Sequence, residues 1–155
     1  ETILVNVQGD EPFVSPKVIE QIASGVCCHR ESVNTACEII DVTSSLNPNI
    51  VKVVRDYQKK ALYFSRSRIP WISPDEQLST PTRFLKHIGI YGYSLGLLKN
   101  FVASKASLAE QSERLEQLRF LHFGVPVIAH DAVDVCGIGI DTLEDYQEAC
   151  AKFEQ

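Results

Sequence analysis

The chain of 155 residues contains no methionine, a single tryptophan and no cysteines at C-x-x-C spacing. It lacks any excess of base as well: 15 lysines and arginines stand against 20 acids, for a formal net charge of −5. That balance argues against a nucleic-acid binder, whose affinity rests on clustered cations neutralising phosphates. A nucleotide could still bind, given a local cation or a metal. No apolar run approaches the ~20 residues of a membrane span, and no secretory leader is visible. Neither nucleic acid nor membrane is therefore expected as a partner. The five cysteines (Cys27, Cys28, Cys37, Cys136 and Cys150) are odd in number, unlike a disulfide framework. "CCHR" at 27–30 hints at zinc but falls short of four ligands at finger-like spacing. Buried, reduced thiols in a cytoplasmic protein are the expectation. Gly-x-Ser-x-Gly, H-E-x-x-H and P-loop lysine motifs are absent, which leaves the corresponding hydrolase, protease and NTPase chemistries without support. With no repeat, low-complexity tract or linker, residues 1–155 read as one domain.

What is present alternates. Thr2–Val7 is apolar at nearly every position and predicts a fully buried strand. Ser15 before Pro16 predicts a capped helix start, and Val18, Ile19, Ile22 and Val26 recur at helical spacing behind it. Thr35–Ile40 is strand-like, and "SSLNPN" is a turn cluster. "IVKVVRD" and "KALYFSR" around "YQKK" predict a β-hairpin, and "WISPDEQLSTPT" a long functional loop. "HIGIYGYS" predicts a strand whose Gly89 and Gly92 are closely approached by something. Leu108, Leu115, Leu118 and Leu121 predict one helix from Ser107 to about Phe123, ended by Gly124. "PVIAHDA" is a further strand, and Thr142 caps a last helix. Together these elements predict an α/β fold with a mostly parallel sheet and one antiparallel excursion, binding ligands at the carboxyl ends of its strands.

Three polar groups interrupt this pattern where chemistry could sit. "QGDEP" places Gln8, Asp10 and Glu11 at the end of the first strand, with Gly9 allowing a sharp turn and Pro12 keeping the chain out of helix. Asp10 there suits a hard cation such as Mg²⁺, which binds through one or two protein carboxylates plus substrate phosphates; a plain polar strand-end turn would look the same. "GIGID" delivers Asp141 just before the last helix, either as a second metal ligand or as a helix cap. Arg66, His87, Tyr91, Glu116 and Gln117 form the third group: Arg66 offers a forked contact to a carboxylate, and His87 and Tyr91 share a strand face. Each residue by itself is more often structural: a stacked tyrosine, a helix-surface glutamate, a satisfied histidine.

The words "VNVQGDEP", "NPNIVKVV", "ALYFSRSRIPW", "HIGIYGY", "LEQLR" and "GIGIDTLED", in this order from Thr2 to about Asp145, resemble the 3-deoxy-manno-octulosonate (Kdo) cytidylyltransferases. The resemblance implies the reaction CTP + Kdo → CMP-Kdo + pyrophosphate, which serves lipopolysaccharide synthesis. It also implies Mg²⁺ dependence, a GT-A-like α/β/α sandwich with a mixed, mostly parallel sheet and an inserted hairpin, and usually a homodimer. It implies that Asp10 and Asp141 hold the metal, and that Gln8, Arg66, His87, Tyr91, Glu116 and Gln117 form the sugar-acid pocket. Relatives carry a leading basic, glycine-containing loop that cradles the CTP phosphates. None is present here, so the chain is expected to be the C-terminal part of a longer enzyme, with an exposed strand edge and little turnover of its own. Lys59-Lys60 also replaces a glycine often found at the hairpin turn. The competing readings are a cytidylyltransferase for a neighbouring acidic sugar, a non-catalytic sugar-acid-binding or dimerisation module, and a metal-dependent phosphohydrolase.

Overall fold

The computed structural model describes residues 2–73, 84–137, 139–140 and 142–153. The strands are β1 (Ile3–Val7), β2 (Val33–Ile40), β3 (Lys52–Arg55), β4 (Ala61–Ser65), β5 (Phe84–Ser94) and β6 (Val127–Asp131). The helices are α1 (Pro16–Cys28), α2 (Leu95–Ala103), α3 (Leu108–Glu113), α4 (Leu118–His122) and α5 (Leu143–Phe153). All six strands join one sheet of order β4-β3-β5-β2-β6, with β1 also on β5.

β5 is the spine of this sheet. Its sequence, FLKHIGIYGYS, is buried along nearly its whole length because β2 lies on it and β1 and β3 pair with it too. The α/β character and the mixed sheet agree with the sequence. The balance of directions departs from it: β2–β6 is the parallel pair, whereas β5 runs antiparallel to β1, β2 and β3. The β3–β4 hairpin returns the chain in the opposite direction before β5 begins. Strand direction of that kind leaves no trace in hydrophobic patterning.

Two apolar layers sandwich the sheet. On one face α1 packs Val18 and Ile22 against Ala36, Ile88 and Ile90. Its start matches expectation, since the Ser15 hydroxyl accepts from the Lys17 amide ahead of Pro16. On the other face the hairpin residues Val53, Ala61 and Phe64 join Val33, Val127, Leu115, Leu118 and Phe120. The hairpin tip reaches as far as β6: the Ala129 amide donates to the Lys59 carbonyl, and Asp131 pairs with Arg55 and Lys59. Lys59 adopts a left-handed φ of 66°, the conformation a glycine would take without strain.

Several expectations need correction. β1 is half-buried rather than fully buried, with Val7 38% exposed, because among the described residues it pairs only with β5. The single helix from Ser107 to Phe123 is two short helices. Arg114 takes a left-handed φ of 54°, and the Leu115 amide closes onto the Glu110 carbonyl, ending α3. Leu108 is therefore exposed, while Leu115 and Leu118 stay buried. Helix α2 was not foreseen. Of the thiols, Cys37 and Cys136 are buried, but Cys27 and Cys28, at the end of α1, are exposed. Gly9 has neither a positive φ nor any atom within 4 Å of an added Cβ, so the turn there does not demand glycine. The long loop predicted over "WISPDEQLSTPT" lies largely outside the described residues.

Candidate functional site

A β-bulge builds the floor of the site. Along β2 and β5 the register jumps from Thr35↔Tyr91 to Ala36↔Ile88, which leaves Gly89 and Ile90 without partners on β2. The freed polar groups are met locally. The Gly89 amide donates to Glu11 Oε1 at 3.1 Å, its carbonyl accepts from the Gln8 amide at 3.3 Å, and the Thr35 hydroxyl donates to the Ile90 carbonyl at 2.7 Å. The "QGDEP" turn is thus fastened to the middle of β5. A Cβ on Gly89 would come within 2.5 Å of Gln8 Oε1, so glycine here serves the close approach of that turn.

Above the bulge opens a cleft of about 780 Å³. Gln8, Asp10, Arg66, His87, Tyr91, Glu116 and Gln117 all line it, which is every described member of the set singled out in the sequence. They arrive from separate elements: the end of β1, the end of β4, the middle of β5 and the α3–α4 junction. The helix break at Arg114 places Glu116 and Gln117 in a connection instead of on a helix side, and Gln8 Nε2 reaches Glu116 Oε1 at 3.5 Å. Asp141 lies outside the described residues. Its neighbours belong to the Asp10 end: the Ile140 amide donates to the Asp10 carbonyl at 2.7 Å, and Thr142 lines the cleft.

Each side chain carries a definite chemical state. His87 is buried, and desolvation, reinforced by the positive charge of Lys86, lowers its pKa to about 3. It is therefore neutral at any working pH. Thr35 has one hydroxyl proton, committed to the Ile90 carbonyl, so the 2.8 Å contact to His87 is donated by His87 Nε2. Nδ1 is left as the acceptor of the ring. Tyr91, its centroid 5.3 Å from that of His87, is pushed well above the ordinary phenol range by burial and then by the charge of Glu116. It stays a hydroxyl. The Arg66 guanidinium donates from Nε to the Glu113 carbonyl at 3.0 Å and from a terminal nitrogen to the Pro48 carbonyl at 3.2 Å, which fixes its plane.

The cleft carries charges of both signs. Asp10, Glu11 and Glu116 supply carboxylates, while Arg66, Lys86 and Arg114 supply cations, with Lys86 engaged by Glu38 at 3.0 Å. No group of three or more His, Cys, Asp or Glu side chains fit to hold a metal occurs among the described residues. Asp10 is the carboxylate at the strand end that a hard cation would use, since such an ion binds through one or two protein carboxylates and takes its remaining oxygens from substrate and water. Sequence reasoning missed Asn47, Asn49, Arg114 and Thr142 as lining residues. Asn47 and Asn49 lay in a quoted motif; Arg114 gave no signal, because its role depends on an unforeseen helix break.

A mixed sheet with helices on both faces and a carboxylate-bearing cleft above its central strand is a ligand-binding α/β architecture, and the solved structure it superimposes on gives it the nucleotide-diphospho-sugar transferase fold. The cytidylyltransferase family model matches residues 1–127, and the chain belongs to that family. A 3-deoxy-manno-octulosonate cytidylyltransferase from Erwinia tasmaniensis is 43% identical over 158 residues, covering 97% of this chain and 62% of the relative. One from Proteus mirabilis is 41% identical, covering 99% of this chain and 62% of the relative. Among solved structures, CMP:2-keto-3-deoxy-manno-octonic acid synthetase complexed with CTP superimposes with a TM-score of 0.87 at 36% identity, over 99% of this chain and 62% of that one. The chain thus spans about 62% of the length of the relatives it matches. No helix among the described residues is long and apolar enough to cross a membrane.

Proposed function

We propose that this chain carries the sugar-acid and metal-binding half of a cytidylyltransferase site that forms CMP-Kdo and pyrophosphate from CTP and Kdo. The observation that supports it most is the convergence of Gln8, Asp10, Arg66, His87, Tyr91, Glu116 and Gln117 on one cleft. Arg66, its plane held by two carbonyls, suits the sugar acid's carboxylate. Neutral His87 accepts from a sugar hydroxyl through Nδ1, and protonated Tyr91 donates one hydrogen bond. Gln8 and Glu116 complete a polar lining that can hydrogen-bond the hydroxyls of the sugar.

The reaction itself asks little covalent work of the protein. The anomeric hydroxyl oxygen bonds to the α-phosphorus in line, the bond to the bridging β-phosphate oxygen breaks, and the hydroxyl proton is released. Mg²⁺, held by Asp10 and Asp141, would supply charge neutralisation and a more acidic hydroxyl. The residues of the cleft hold the sugar so that this hydroxyl faces the nucleotide. The sequence contains no basic, glycine-rich phosphate loop, so the chain by itself is expected to bind the acidic sugar and to turn CTP over poorly. A homodimer in the cytoplasm belongs to the same reading.

Calorimetry with Kdo, with and without Mg²⁺ and CTP, tests the proposal. Binding is expected to weaken at least about tenfold in Arg66→Ala, as loss of a charged hydrogen-bonded contact requires. It should strengthen on adding Mg²⁺ with CTP in the wild type but not in Asp10→Asn. Tight Kdo binding indifferent to metal and nucleotide would instead favour a non-catalytic sugar-acid module. A preference for a different acidic sugar would redirect the substrate while leaving the site.

A further inference from the structure

Lys52 is fully buried, at 0% exposure, and it is a cation. Its ammonium has three N–H donors, and three carbonyls receive them: Asn47 at 2.9 Å, Ile50 at 2.5 Å and Arg66 at 2.5 Å. Glu113, whose charge is felt at Lys52, has its carboxylate oxygens engaged by the Ser65 hydroxyl at 2.6 Å and the Arg66 amide at 2.9 Å. The ammonium is therefore satisfied by backbone dipoles and has no carboxylate bonded to it among the described residues. A buried charge is costly to desolvate, so its retention calls for a role that an apolar side chain could not fill.

Topology supplies that role. The three carbonyls belong to two segments remote in sequence, the Asn47–Ile50 loop and the residue that follows β4. Both segments line the cleft, through Asn47, Asn49 and Ile50 on one side and Arg66 on the other. Arg66 makes the return stitch, its guanidinium donating to the Pro48 carbonyl of the same loop. We infer that Lys52 is a positioning residue for the sugar-acid subsite, locking the Asn47–Ile50 loop to the end of β4 so that the Arg66 guanidinium is held at the cleft. This inference rests on the reading of Arg66 as the carboxylate partner. It adds that the orientation of Arg66 depends on a cation the ligand never touches.

The test uses the full 155-residue chain as wild type, Lys52→Met, Arg66→Ala and the double variant. Proton exchange at Arg66 Nε, followed by NMR, should accelerate about tenfold in Lys52→Met, while the protected amides of β2 and β5 stay slow. Kdo affinity should fall about tenfold in Lys52→Met and fall no further when the change is added to Arg66→Ala, since coupled residues are non-additive. Unaltered Arg66 exchange in a folded Lys52→Met protein, or losses that multiply in the double variant, would overturn the inference. If the wild type fails to bind Kdo, the reading of the subsite fails, yet the exchange rate still decides the role of Lys52. Should Lys52→Met not fold, the wild type gives the answer through pH. Burial lowers the Lys52 pKa against the raising charge of Glu113 and with the lowering charge of Arg66. Exchange at Arg66 Nε should then climb more steeply than the tenfold per pH unit of simple base catalysis at a pH below the ordinary lysine value of 10.5. A slope that stays tenfold while the Lys52 ammonium loses its proton, followed through its own NMR signal, would refute the role.

Discussion

Replacing Gly92 by alanine tests whether helix α1 is as tightly joined to β5 as the structure has it. An added Cβ would lie 2.6 Å from Cγ2 of both Ile22 and Val26, and 3.2 Å from the Ile22 carbonyl oxygen. Unstrained carbon contacts sit near 3.5–4.0 Å, so each methyl is overlapped by about 1 Å. Rotamer changes offer little escape, because β-branched side chains in a helix have one strongly preferred χ1. Backbone retreat is the remaining route, and it would loosen the cluster of Val18, Ile22, Ala36, Ile88 and Ile90 that α1 completes. Overpacking of this kind costs about 1–3 kcal/mol, and a clash shared by two stiff residues belongs at the upper end. Against it stands the unfolded-state gain of a Gly→Ala change, about 0.4–1 kcal/mol. Gly9→Ala isolates that gain, since nothing lies within 4 Å of its Cβ and its φ is not left-handed. Urea unfolding at constant m should therefore place Gly92→Ala about 2–3 kcal/mol below the wild type and Gly9→Ala level with it or slightly above. A gap between the two variants of less than about 1 kcal/mol would refute the packing argument.

Three further outcomes follow from other parts of the molecule. At Lys59, φ 66°, glycine should be more stable than alanine by up to about 1 kcal/mol in urea melts; both lose the 3.0 Å pair with Asp131, so the difference reads the left-handed strain less the unfolded-state entropy of glycine. His87 has its folded pKa lowered from the ordinary 6.5 to about 3, so below pH 6.5 the unfolded chain takes up a proton that the folded one refuses. Stability is complete above pH 6.5 and should fall by about 2 kcal/mol on going to pH 5, with His130, also lowered by burial, adding to the same slope. His87→Leu should flatten that dependence, and an unchanged slope would contradict the buried neutral ring. Gly89→Ala would press a Cβ to 2.5 Å from Gln8 Oε1 and 3.2 Å from Glu11 Cγ. Because those are side-chain atoms, the cost should appear as about tenfold weaker Kdo binding with less than about 1 kcal/mol lost in stability. Unchanged binding and unchanged stability together would mean that the turn is not fastened to the bulge.

How much of this could be read from the sequence depends on whether a feature is written locally. Helix α1 was legible because Ser15, Pro16 and the spacing of Val18, Ile22 and Val26 each act within one or two turns. The hairpin was legible for the same reason, its turn closed by Asp56, whose carboxylate accepts from the Gln58 and Lys60 amides. The cleft residues were legible as polar words following apolar runs. Their convergence was not, because the fold gathers them from elements remote in sequence, as in the Gln8–Glu116 contact across 108 residues. The depth of β1 was misread since an apolar run looks alike in a central strand and in one with a single partner. The leucine stripe from 108 to 121 keeps a helical phase straight through the break at Arg114, so periodicity alone reports one helix where there are two.

That break carries a functional consequence. Arginine in a left-handed conformation costs roughly 1–2 kcal/mol relative to the right-handed helix, and a continuous helix would have avoided the cost. What compensates is local: Glu110 completes a capping box with Ser107 and pairs with Arg119, whose guanidinium lies 4.2 Å from the Phe101 ring centroid. This network anchors both sides of the break to α2. The same turn frees Glu116 to meet Gln8 and exposes Arg114 to the cleft. Had the helix continued, Glu116 and Gln117 would project about 100° apart around one cylinder. The strain at Arg114 is thus tied to the geometry of the site: Arg114→Gly should relieve the backbone and raise stability by up to about 1 kcal/mol in urea melts, while Kdo binding changes only through the lost cation. A variant that loses stability would show that the left-handed turn is held by the arginine side chain itself, and the account of the break given by Glu110 and Arg119 would fall.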